Sequence, residues 1–263
     1  MIRKYWVFIR MCIANSFIDR GDILLYSLSL FTTPIIILAV WLVINTEGSN
    51  TLMSRNDLIV YFLANVLVGT IRSSWYGQFL PGRIRRGEIS SILLKPQPFL
   101  IETISNNIAE KIIKLSFLIP MVVFLGYWLS AKVLSQNILI WVLIVLTTLL
   151  AAIIFFLLDV IIGMLAFWFE ETRSIQELIG VFESLFSGRF IPLVILPLFW
   201  KDLANLLPFR YMASLPLEIL LGQLNNKQMI GGTIVQVGYL ILVIITYKFI
   251  SNRGFRRYGA SGA

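Results

Sequence analysis

Long unbroken apolar runs, not an alternation of apolar and polar positions, set the pattern of this chain. Runs at 23–44, 58–80, 112–129, 138–169 and 229–250 each suffice, as helices rising about 1.5 Å per residue, to cross hydrocarbon about 30 Å thick. Arg20-Gly21-Asp22 predicts a break before the first run, and Pro34 inside it predicts a kink. The third helix is expected to begin upstream of its apolar part, where Glu102, Asn106, Asn107, Glu110, Lys111 and Lys114 would carry it beyond the membrane. The run at 138–169 has no turn signal that would fold it in two. As one helix it would reach roughly 48 Å, so part of it should stand clear of the membrane, with Glu170, Glu171 and Arg173 at the exit.

Two stretches depart from this pattern. Residues 3–20 mix Trp6, Phe8 and Phe17 with Arg3, Lys4, Arg10, Asp19 and Arg20, which is too polar to span and predicts an amphipathic helix lying in the interface. Residues 175–186 are apolar but short, and beyond them Pro192, Pro197, Pro208 and Pro216 interrupt the hydrophobic sequence. Proline-broken backbone is tolerated at membrane depth only where protein or a wet cavity covers it. Residues 189–222 are therefore expected to form short re-entrant or interfacial helices on the outer side, before the last span.

The expected fold class is all-α: a polytopic membrane protein with six transmembrane helices, in a single transmembrane domain over 1–263. Composition agrees, since 58% of the 263 residues are hydrophobic, 14% are charged and the mean hydropathy is +0.84. The net charge of +8 does not point to nucleic acid, because the basic residues lie between apolar runs in the manner of topology signals. With both termini inside, the inner side gathers most lysines and arginines. Arg55, Lys132, Arg189, Lys201, Arg210 and Lys227 fall outside, and Arg72 falls within the membrane. Residues 1–20 carry too many polar groups for a cleavable leader. The single cysteine, Cys12, excludes a disulfide within the chain, and the absence of histidine removes the usual metal ligand and acid–base group. No phosphate-binding GxxxxGK[ST] loop occurs. We expect no catalytic residue, no metal and no cofactor on this chain.

The densest polar island is 82–98. Arg83, Arg85, Arg86 and Lys95 sit there between two apolar runs, while Ile84, Ile89, Ile92, Leu93 and Leu94 recur at near-helical intervals. A short amphipathic helix is predicted, stopped by Pro96 and Pro98. Its basic residues either dock on a partner or serve as topology signals that also contact anionic membrane lipids. Three further charges, Arg72, Asp159 and Glu183, lie by count along their helices about 12–15 Å from the inner ends. Because a lone charge at that depth is expensive, Arg72 is expected to pair with Asp159 or Glu183, leaving the other acid protonated or beside a wet cavity.

The order of these segments resembles the membrane subunit of type-2 ABC transporters, within them the bacterial antibiotic-transport-type permease family. The strings that carry the resemblance are Gly87-Glu88 with Leu93-Leu94-Lys95-Pro96, Phe167-Trp168, Ser187-Gly188 with Ile191-Pro192-Leu193 and Pro197, and Leu207-Pro208-Phe209 with Pro216 and Gly222. The resemblance implies an ATP-driven permease, mostly of the efflux type, in a bacterial plasma (inner) membrane with both termini cytoplasmic. It implies a second permease subunit, in a homo- or heterodimer, and separate ABC ATPase subunits that carry the ATP and Mg. It further implies that 82–98 is the coupling loop seated in the ATPase, through Arg83, Arg85, Arg86, Gly87, Glu88, Leu93, Leu94, Lys95 and Pro96. The 3–20 helix would brace that contact. A lipid, a hydrophobic antibiotic or a peptide would each fit as substrate, and import stays open beside export. The alternative is a stand-alone membrane channel or scaffold without a nucleotide partner.

Overall fold

The computed structural model describes residues 2–16, 20–46, 53–94, 98–133 and 137–261. Among them the chain is helical, with no strand: α1 (Ile2–Ser16), α2 (Arg20–Thr46), α3 (Arg55–Arg72), α4 (Tyr76–Arg85), α5 (Ile89–Leu93), α6 (Ile101–Trp128), α7 (Ile138–Met164), α8 (Arg173–Phe186), α9 (Leu198–Leu206), α10 (Pro208–Leu220) and α11 (Asn226–Ser261). Helix is what the apolar runs require, since it satisfies every backbone N–H and C=O inside one segment away from water. Three helical runs are long and apolar enough to cross a membrane: Arg55–Arg85, Ile138–Phe167 and Asn226–Tyr258. Ser29–Asn45 is a shorter apolar stretch. In α6 the charged residues lie in the first half, which confines its purely apolar part to 115–128.

Helix α7 is the centre of the bundle and touches α3, α4, α10 and α11. Its first half is two-faced, with Thr147, Ala151 and Ile154 fully buried and Val142, Val145, Leu149 and Ile153 exposed, whereas Val160 and Met164 near its end are fully buried on the opposite face. Its first turns pack through Ile140, Leu143 and Ile144 against Tyr211, Leu215 and Ile219 of α10. Gln236 of α11 donates to the carbonyls of both Thr147 and Tyr211 at 2.8 Å, which ties three helices together where water cannot compete. Helix α1 lies along α6 with Ile9 and Cys12 buried and Trp6, Val7 and Met11 exposed, so it is two-faced. Burial pushes the Cys12 thiol up, and the Glu102 carboxylate adds to the effect.

The proline-rich segment folds into a hairpin of α9 and α10. At its tip the Leu206 carbonyl accepts from the Tyr239 hydroxyl at 2.6 Å. Tyr239 lies thirteen residues into α11, so the tip sits about 20 Å along the bundle from Asn226. Leu217 and Leu221 then return to Met53 and Leu58 at the far end. Pro208 occupies the first turn of α10, where its missing N–H would have had no helical partner.

Several boundaries differ from expectation. Arg20, Gly21 and Asp22 belong to the first turn of α2, so no break falls there, and Pro34 stays inside one helix. The second run, expected as a single span over 58–80, is divided at 73–75 into α3 and α4. Helix α7 ends at Met164 and tightens into a 3-10 turn over Leu165–Phe167, because Phe167 turns into an aromatic cluster with Trp168, Phe255 and Tyr258. Past the last apolar run, α11 continues through Arg253, Arg256 and Arg257 to Ser261. Phe255 and Tyr258, three apart, share the face that meets Phe167, whereas Arg256 and Arg257 are exposed. Lys114 is 5% exposed and paired with Glu110.

Candidate functional site

Residues 82–94 form one folded unit at the end of the bundle opposite the α9–α10 return. The Glu88 N–H bonds the Arg83 carbonyl and the Gly87 N–H bonds the Ile84 carbonyl, the two reaches that close a helix on a left-handed residue. Gly87 supplies that residue, with φ of 76°. The chain can then restart as α5 almost at once. Ile84, Ile89 and Ile92 are buried in a cluster with Leu80, Leu100 and Phe167. The tail of α11 supports the unit from outside, with the Ser90 and Tyr258 hydroxyls 2.9 Å apart and Phe255 against Phe99.

The polar residues of this unit are divided between bracing and exposure. Arg85 donates to the Glu170 carbonyl at 2.9 Å, which fastens the unit to the chain leaving α7. Arg86 donates to Glu88 at 2.6 Å, and Arg83 lies 3.5 Å from the same carboxylate. The hydrogen bond from Arg86 holds the Glu88 carboxyl below its ordinary value. The Arg86 side chain is nevertheless 65% exposed. Leu93 and Leu94 are 42% and 86% exposed, an apolar pair turned away from the bundle. Lys95 and Pro96 lie outside the described residues.

The three charges expected within the membrane come together near the junction of α3 and α4. Arg72, the last residue of α3, forms an ion pair through Nη2 with Glu183 of α8, with side chains only 6% and 9% exposed. Its guanidinium also lies 4.9 Å from the centre of the Phe155 ring. Nε and Nη1 are buried with no hydrogen-bond partner among the described residues. Of the two acids expected as partners, Glu183 is the one Arg72 meets.

Asp159 has a different task. One of its oxygens accepts from the Ser74 hydroxyl at 2.5 Å and from the Gly77 N–H at 2.8 Å. It therefore caps the first turn of α4 from a neighbouring helix, where orphan N–H groups and the positive dipole end favour a carboxylate. Gln176 of α8 donates to the Gly77 carbonyl at 2.5 Å. Gly77 has no room for a side chain, since a Cβ there would overlap Asp159, and one on Gly163 would come within 3.0 Å of the Gly77 Cα. Helices α4 and α7 touch backbone to backbone at this point.

Above the junction is a cavity of about 410 Å³ between α2, α3, α6, α7 and α8. Arg72, Lys114, Asp159, Glu183 and Arg189 all line it. Lys114, also 5.6 Å from the Trp75 ring, was not foreseen as part of this cluster. Nor was a second ion pair, in which Arg210 donates to Glu218 at 2.6 Å and also reaches Asn205. Two single glycines inside apolar runs, Gly77 and Gly163, were the signal in sequence for the close crossing.

Membrane-length apolar helices around a charged cavity, with a folded polar loop at one end, make this a polytopic helical membrane protein. Residues 53–262 match the family described as ABC-2 family transporter protein, well over half of the chain, and the chain belongs to that family. It is the membrane permease component of an ABC transporter. No curated protein matches it.

Proposed function

We propose that the chain is the export permease of an ATP-driven transporter in a bacterial plasma membrane, moving a hydrophobic or amphipathic substrate. In this reading the whole of 1–263 is one permease domain with six spans and cytoplasmic termini, 3–20 lies in the interface, and 189–222 re-enters from the outer side. The chain pairs with a second permease subunit. ATP and Mg reside on separate ATPase subunits, which seat on 82–98.

The observation that carries this reading is the build of 82–94. Its isoleucines anchor it to α7 and α11, and Arg86, Leu93 and Leu94 are left outward. A rigid unit with an exposed apolar pair and a cation is suited to transmit force from a docked protein, since contacts that differ between two partner states shift the equilibrium of the permease. A stand-alone channel has no use for such a surface. The test is a Leu94→Cys substitution in a Cys12→Ser background, co-expressed with a candidate ATPase. A cross-link whose yield changes between ATP-bound and nucleotide-free states is expected. Full ATP-driven transport by an Arg86→Glu/Leu94→Asp variant would refute the docking role.

A further inference from the structure

The cavity holds more cationic hydrogen-bonding capacity than its acids use. Asp159 is engaged by Ser74 and the Gly77 N–H, and Glu183 takes one nitrogen of Arg72. Lys114 is matched by Glu110, which is not in the lining. Arg189 has no ion pair among the described residues, its guanidinium lying over the Phe190 ring. Arg72 is 5% exposed, yet its Nε and Nη1 have no partner among the described residues. Guanidinium carries five donors in a planar fork that fits the oxygens of carboxylate or phosphate. A clamp whose whole purpose was to hold α3 to α8 would not leave such donors buried and empty.

The rest of the lining says what accompanies the anion. Leu30, Ile37, Phe155, Leu158, Ile162 and Met212 make much of the wall apolar. The volume of about 410 Å³ falls in the range of small-molecule sites and exceeds what a lone inorganic anion fills. We propose that this cavity binds the anionic headgroup of an amphiphile, a phosphate or carboxylate, with Arg72 as its receptor and the hydrocarbon chain against the apolar wall. Glu183 then competes with the ligand for the same guanidinium and keeps the empty site neutral. Binding so defined does not depend on the export reading, and either can fail without the other.

The experiment uses the purified full-length chain in neutral detergent, with radiolabelled dodecyl phosphate as probe. Inorganic phosphate and dodecyltrimethylammonium are the comparison probes. Saturable binding of one dodecyl phosphate per chain is expected, with inorganic phosphate and the cationic amphiphile at least about tenfold weaker. Arg72→Gln should weaken dodecyl phosphate by about tenfold or more, the scale of a lost charge-assisted hydrogen bond. Glu183→Gln, which frees the guanidinium, should tighten it several-fold. These opposite directions separate a receptor from a structural clamp, for which both variants would lose binding together. If Arg72→Gln does not fold, Arg72→Lys, which keeps the charge but not the fork, replaces it and should also weaken binding. No saturable binding, equal affinity for the cationic probe, or weaker binding by Glu183→Gln overturns the proposal. Inorganic phosphate bound as tightly as dodecyl phosphate overturns the amphiphile assignment.

Discussion

Replacing Arg72 by methionine leaves Glu183 buried without its cation. Both side chains are less than one-tenth exposed, so the remaining charge recovers little water. Breaking a buried pair by removing one partner costs about 3–5 kcal/mol, whereas replacing both by apolar groups of similar volume is often neutral. Arg72→Met and Glu183→Leu are each expected to fall in the first class and the double variant in the second. The coupling energy from the cycle, the sum of the two single losses when the double is neutral, should therefore be about 6 kcal/mol or more. For a chain of this size 1 kcal/mol moves a melting midpoint by about 2–4 °C, so each single variant should melt roughly 10 °C lower and the double near the parent. Thermal unfolding of the four purified proteins in one detergent measures this. The reasoning fails if the single losses simply add in the double variant, since the pair would then contribute no coupling. A double variant that regains stability but not transport would show that charge, beyond packing, is needed for movement.

Three other outcomes follow from the geometry. Gly77→Ala and Gly163→Ala should each destabilise the chain by about 1–3 kcal/mol, the range for overpacking a close contact, as read by the same melts; Gly180→Ala, in open space on α8, should not. Single cysteines at Lys201 and Asn226 in a Cys12→Ser background should both react with an impermeant reagent from outside intact cells, and labelling from the cytoplasm at either would overturn the topology. Arg210→Met should leave Glu218, 6% exposed, without its cation and lower the melting midpoint, while the Arg210→Met/Glu218→Leu double variant should regain most of the loss.

The helices were legible because their signal is carried by many residues at once: a run such as 138–164 stays helical whatever its neighbours do. Depth was legible for the same reason, and counting along the helices brought Arg72, Asp159 and Glu183 to one level. Partner choice was not, because Asp159 is taken by Ser74 and an orphan N–H of α4, a group that exists only once the second run is broken. That break was hidden in turn. Ser73, Ser74 and Trp75 are compatible with helix, and what interrupts them is a carboxylate arriving from α7. The partner of Arg210 was not legible, because proline-broken sequence fixes no register; only α10 brings it to Glu218, eight residues on. The loop at 82–98 was read correctly as amphipathic at Ile84, Ile89 and Ile92, but Arg85 could not be told from Arg86. Only the path of the chain after α7 shows that one grips the Glu170 carbonyl and the other faces outward.

The junction at 73–75 interrupts the helical ladder between α3 and α4. Ordinarily a transmembrane helix resists bending because each turn is bonded to the next, but here α3 ends and α4 is capped by a foreign side chain, so the two can change their angle without losing a rung. The ten residues of α4 make an arm about 15 Å long. A displacement of 1 Å at the Arg83–Arg86 end thus turns the arm by about 4° at that length. Its near end is held by the Gly77–Gly163 contact and the Asp159 cap, while Arg72 lies across the break on α3. A tilt of α4 about that contact would therefore not be passed rigidly to the Arg72–Glu183 pair. The break leaves the 82–94 unit room to shift while α3 and its buried ion pair keep their place.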